Sequence, residues 1–438
     1  MYRIITELED HFDNDATSEL EDRLGGYVNK AQILLIEENY IDRDWRDEYS
    51  LFYSKTFYKD VRKFTTRVHL IKEEIQNVSE ISSDNYLGYF VVRPLHIRDV
   101  TLLKVILKPL KEPLGVRRRE DLYVATCEYS AHIAGSSKTI ETFPFYHQDS
   151  VTDVCAHADM WMLTEYMHRK FHMSKPSIRD FILSTPPFYG RVIPSRGLTI
   201  EQICTILNSL GYNVSIESFD RDVPKILERI DTYLESNLPT ILAYDEHVVV
   251  IAGHTLDGSK KDYLVYDDSG YHLANLLELE EGETPQFAAR VDKRRLLEKL
   301  ERSEKPVFAI NVEFDKHFYP LASVNEFVKL FIEEEGIEIT RKRILLADSN
   351  DFKKFCKDKI GVSKFDDIPL PHYLWIVELY HGDDLICELI LDASAHKNDY
   401  SEKVNIATWY EDRIYRDRKI ERVGRAPEPF SNLTFVDA

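Results

Sequence analysis

The chain has 438 residues, 43% hydrophobic and 30% charged, which suits two or three globular domains and excludes a disordered chain. Its formal net charge of -20 argues against a nucleic-acid ligand, because neutralising phosphate needs a basic surface. No apolar run reaches the ~20 residues of a membrane helix, and residues 1–10 turn acidic without an apolar core, so neither a membrane partner nor a signal peptide is expected.

In chain order, helical spacing marks residues 4–12 and 18–24. The run Gln32-Ile33-Leu34-Leu35-Ile36-Glu37 is short and apolar, as in a buried strand. Residues 86–94 form a stronger strand, aromatic and β-branched, stopped by Pro94. Residues 121–129 read as another. These define an N-terminal accessory module, residues 1–140.

Residues 141–275 form the core segment. Phe143-Pro144-Phe145 is an extended entry to a helix over 154–171, where Ala158, Met162 and Tyr166 share a face with Trp161 beside them. Thr199 and Gln202 make a capping-box pattern, and Ile203, Leu207 and Leu210 run on to Gly211 as C-cap. Strands over 213–217 and 238–244 flank a helix over 223–235. Two more strands, 247–252 and 263–266, are joined by the turn Asp257-Gly258-Ser259.

An acidic, turn-rich stretch over 278–285 opens a C-terminal accessory module, residues 276–438. It carries a strand over 306–312, a helix over 324–335 and a hairpin built from 373–379 and 387–392. The segment from residue 416 is charged and proline-containing. The clusters Arg117-Arg118-Arg119 and Lys293-Arg294-Arg295 are short, flanked by acids, and read as solvated surface.

The chemistry concentrates on Cys155. The five cysteines, Cys127, Cys155, Cys204, Cys356 and Cys387, are scattered without a CxxC pair, so neither a disulfide framework nor a zinc knuckle is indicated. Cys155 and His157 lack a second pair at zinc-like spacing, so no metal and no cofactor are expected. Cys155 opens a helix, where the partial positive charge of the N-terminus favours a thiolate. His247 opens an apolar strand and is the preferred base; His254 is its rival, beyond the run and next to a turn. His147 and His157 are too near Cys155 in sequence to serve, and His157 points about 200° away around the helix. Asp267 and Asp268 end the next strand. Alternation alone separates them, and Asp267 is preferred because it closes the strand. Gln148 precedes the thiol by a few residues, as an oxyanion donor can.

The order glutamine, helical cysteine, histidine with Gly253 six residues on, then a polar residue after a tyrosine-led strand resembles the papain-like cysteine peptidases. The nearer likeness is to their bacterial branch, the C39-like peptidases. Ala156 follows the cysteine where the papain pattern has tryptophan, and Asp267 stands where papain has asparagine. The resemblance covers 141–275. It implies an α/β (α+β) papain-like core with mixed flanking modules, and a cytoplasmic thiol hydrolase acting on a peptide or protein. Cys155 is then the nucleophile, His247 the base, Asp267 its orienter and Gln148 the oxyanion donor. An acyltransferase on the same core, or a binding protein that keeps the fold without the chemistry, is the alternative.

Overall fold

The computed structural model describes residues 2–56, 61–94, 102–149, 151–152, 155–185, 197–218, 222–257, 260–279, 286–395, 404–416, 419–431 and 433–436. The chain is mixed α/β and divides into two compact units. One comprises Met1–Leu227, Pro239–Val312 and Thr434–Ala438, and the other Glu228–Leu238 and Glu313–Leu433. Among the described residues no helix is long and apolar enough to cross a membrane.

The first unit holds two larger sheets. One is six-stranded, in the order Tyr2–Ile5, Ile33–Tyr40, Thr65–Ile71, Tyr86–Val92, Leu102–Leu107, Phe145–Tyr146, and antiparallel throughout. Its edge corrects the expected helix over 4–12. Tyr2–Ile5 pairs with Ile33–Tyr40, and only a 3₁₀ turn, Leu8–Asp10, follows. Pairing with a ready sheet edge outweighs a short helical spacing, since an isolated short helix is marginal in water.

The other sheet carries Asn213–Ser218, Phe308–Glu313, Thr240–Tyr244, His247–Asp257, Lys260–Tyr266 and Ala288–Val291 in that order. The His247–Asp257 strand is longer than its apolar run. Along one edge it pairs first with Thr240–Tyr244, then with Asp121–Val124, which in turn pairs with Thr434–Val436. A Cβ on Gly253 would lie 2.5 Å from the Tyr123 carbonyl, so the handover between those neighbours needs glycine. The strand expected over 121–129 is likewise two strands. The chain leaves the sheet after Val124, and Cys127–Ile133 forms its own hairpin with Ser136–Thr142.

The helix Cys155–Phe171 packs on the His247 strand. Ala156 through Met167 are all buried, so the expected apolar stripe is only part of a helix covered on every side. Thr199 and Gln202 form the expected capping box of Ile200–Ser209.

The second unit is built on an antiparallel sheet in the order Arg341–Asp348, Tyr373–His381, Asp384–Asp392, Asn405–Tyr410, Arg413–Arg416, Lys419–Arg422. The expected hairpin is its centre, with Leu379 opposite Cys387. Phe352, Phe365, Trp409 and Phe430 fill its core.

Candidate functional site

His247 is placed by a tight hairpin. Tyr244 pairs with His247 across a two-residue turn, Asp245-Glu246, and both turn residues have positive φ, 49° and 67°. Such a turn matches the twist of the strands but suits asparagine and glycine better. Contacts offset the strain: Ser303 Oγ donates to Asp245 at 2.8 Å, Lys299 lies 3.2 Å from Asp245, and Lys305 pairs with Glu246.

The acid comes from the neighbouring strand. Lys260–Tyr266 ends at Tyr266, so the alternation expected to separate Asp267 from Asp268 no longer operates. Both carboxyls turn to the same imidazole. His247 Nε2 lies 3.0 Å from Asp267 Oδ1 and 3.5 Å from Asp268 Oδ1. Asp267 is also fixed from behind. Its Oδ1 accepts from Ser269 N and Oγ, both at 3.1 Å, and its Oδ2 from Leu273 N at 2.8 Å. Burial pushes its pKa up, but the His247 contact and these amide donors outweigh burial and hold it well below the usual carboxylate range. Among the described residues neither Asp268 oxygen makes a hydrogen bond, and the Ser269 main chain acts on it only weakly. Burial first, and then the Asp267 charge, push it up to about 7 against the pull of His247. Burial lowers the His247 pKa, yet its bond to Asp267 and the two carboxylate charges raise it overall.

Cys155 begins its helix and is partly exposed; the other four cysteines are buried. The main-chain amides of Ala156 and of Val248, the residue after His247, act on its sulfur. Burial, and then the charges of Asp268 and Asp159, nevertheless raise the thiol well above its ordinary value. The helix N-terminus alone implies the opposite shift; burial first, and then the acids nearby, outweigh the helix dipole. At rest this thiol keeps its proton.

Gln148 follows the strand Phe145–Tyr146 and is half-buried. The segment around it is held from both sides. Arg93 Nη2 donates to the His147 carbonyl at 2.6 Å, and Asp149 accepts from Val151 N, Thr152 N and Tyr53 Oη. Among the described residues its side-chain amide makes no hydrogen bond.

The rival histidines are all buried. His254 sits within its strand, not in a turn, and stacks on Tyr123 with ring centroids 5.2 Å apart. His147 is buried with Nδ1 on the Gln148 carbonyl, and burial pushes His157 down to about 4.

Two residues escape sequence reasoning. Asp159 lies one helical turn beyond Cys155, a spacing that places both on one face. It is fully buried, and among the described residues both its oxygens lack hydrogen-bond partners. Arg23, from the helix Asn14–Val28, donates to the Ser269 carbonyl at 2.5 Å and acts on Asp267 and Asp268. A Cβ on Gly270 would lie 2.6 Å from its guanidinium, so this contact requires glycine there. No local pattern ties Arg23 to that loop.

No family model and no curated protein matches this chain. Among solved structures, the crystal structure of UfSP from C. elegans is similar over 39% of this chain and 33% of that one, at 15% identity and a TM-score of 0.28. The chain thus spans about a third of the length of that protein, and a likeness this slight carries no argument about the fold.

Proposed function

We propose that the chain is a papain-like cysteine hydrolase whose substrate is a peptide or protein. One observation carries this reading. The His247 ring is held 3.0 Å from a locked carboxylate, and the amide of the very next residue acts on the Cys155 sulfur. Cys155 attacks the substrate carbonyl while His247 takes the thiol proton, so the thiolate forms during attack and not beforehand. His247 then protonates the leaving group and afterwards activates the water that opens the acyl-enzyme. Asp267 holds the imidazole in orientation, and Gln148 donates to the oxyanion.

The test is turnover on a library of fluorogenic peptide amides. Cys155→Ser should abolish it, and Gln148→Ala should lower it by about 10²-fold with folding intact. Equal rates in wild type and Cys155→Ser would remove the nucleophile from the account. A second reading, a binding protein that keeps the fold without the chemistry, is favoured by one observation: burial, helped by the acids near Cys155, raises its thiol pKa. It requires peptide binding that Cys155→Ser leaves unchanged, with no turnover in either protein.

A further inference from the structure

The surroundings of His247 hold more acid than a thiol site requires. A thiol–imidazole pair needs one orienting carboxylate, and Asp267 fills that role. Asp268 is an extra, 0% exposed, 3.5 Å from His247 Nε2, and among the described residues neither of its oxygens has a hydrogen-bond partner. Asp159 is a second, also 0% exposed and, among the described residues, without hydrogen bonds on either oxygen, and it interacts electrostatically with both Asp267 and Asp268. Arg23 acts on Asp267 and Asp268, but its Nη2 is committed to the Ser269 carbonyl. Buried carboxylates without donors are costly unless a cation meets them.

The spacing suits such a cation. One nitrogen or oxygen each from His247, Asp267 and Asp268 lie within 4.8 Å of one another. Two ligand atoms about 2.05 Å from a tetrahedral zinc ion stand ~3.3 Å apart. The separations from His247 Nε2, 3.0 Å to Asp267 and 3.5 Å to Asp268, bracket that value.

We propose that His247, Asp267 and Asp268 form a site for a divalent cation of the zinc class, whose binding silences the Cys155 thiol. The silencing rests on the reading of His247 as the base. The metal takes the Nε2 lone pair, so in the neutral ring the proton sits on Nδ1. Both nitrogens are then occupied, and the ring can accept nothing from the thiol.

The metal-free full chain is titrated with Zn²⁺ by calorimetry, and iodoacetamide labelling of Cys155 is followed with and without the ion. One ion should bind per chain, labelling should slow at least tenfold, and EDTA should restore it. Asp268→Asn should weaken binding by roughly 10–100-fold or more, the loss that removing a supporting contact brings. Co²⁺ added to wild type should give the visible absorption of a tetrahedral ion, a readout that stands if the variant fails to fold. Absence of both the calorimetric site and the Co²⁺ band overturns the proposal, as does unchanged affinity in Asp268→Asn. Binding that leaves the labelling rate unaltered overturns the silencing. Labelling of metal-free protein that ignores His247 removes the base reading alone, because calorimetry still reports the site.

Discussion

Glu165 and Asp159 sit on the same helix, equally hidden from water, in opposite company. Glu165 accepts from Tyr129 Oη at 3.0 Å and Arg169 Nε at 2.6 Å, and Lys175 Nζ lies 2.9 Å away. Burial pushes its pKa up, but Lys175 and Arg169 outweigh burial and bring it down to about 2. Asp159 has no donor, and burial together with Asp268 and Asp267 raises it far above the carboxylate range. The first acid is part of the scaffold: its Oε1 takes the hydrogen bonds, and its Oε2, which has none, is met by the Lys175 charge at 2.9 Å. The second is an expense to the fold, and it stands one turn from the cysteine. Unsatisfied buried acids of this kind concentrate where a protein works, not where it merely holds together.

That contrast can be broken by mutation. Glu165→Ala should have the largest effect, about 2–4 kcal/mol of lost stability in urea unfolding, because it strands Tyr129, Arg169 and Lys175. The figure lies below that of a fully buried pair, since both cations remain partly exposed. A loss under half a kcal/mol would put Glu165 in the same class as Asp159.

Acid titration should show the next effect. A carboxyl lowered on folding stabilises the native state above its unfolded pKa and loses that contribution as pH falls through its folded pKa. For Glu165 the window runs from ~4.3 down to about 2, worth about 3 kcal/mol in all. Stability measured by urea between pH 5 and 3 should fall more steeply in wild type than in Glu165→Gln. Parallel slopes would deny Glu165 its place as the satisfied acid.

Asp159→Asn should have the smallest effect, a change within about 1 kcal/mol at neutral pH, because burial and the neighbouring acids already disfavour the ionised form of this carboxyl. A loss greater than 1 kcal/mol would mean that this carboxylate supports the fold, and the comparison would fail.

The elements that sequence makes legible are those whose signal is local. The capping box Thr199/Gln202, the hairpin around Gly382 and the helix from Cys155 follow from spacing within one element. The strand Tyr2–Ile5 does not, because its reason for being a strand is the edge of Ile33–Tyr40. The site divides in the same way. Cys155 at a helix start and His247 at the head of an apolar strand stand out in the chain. Asp159 repeats the cysteine's helical face, but nothing in its neighbourhood of residues says that no donor awaits it. The direction of the Cys155 shift depends first on burial and then on Asp268, both of which the fold supplies from other elements, so the helix dipole alone points the wrong way. Arg23 has no sequence signal at all, since its partner carbonyl belongs to Ser269.

The central claim is that His247 activates the Cys155 sulfur. Iodoacetamide labelling at neutral pH, read residue by residue by mass spectrometry, tests it in the metal-free protein. Cys155, the partly exposed thiol, should label well before Cys127, Cys204, Cys356 and Cys387, which are buried. His247→Ala should slow Cys155 at least tenfold with the circular dichroism unchanged, while His254→Ala, a stacked strand residue, should leave the rate intact. Equal Cys155 rates in wild type and His247→Ala would contradict the account.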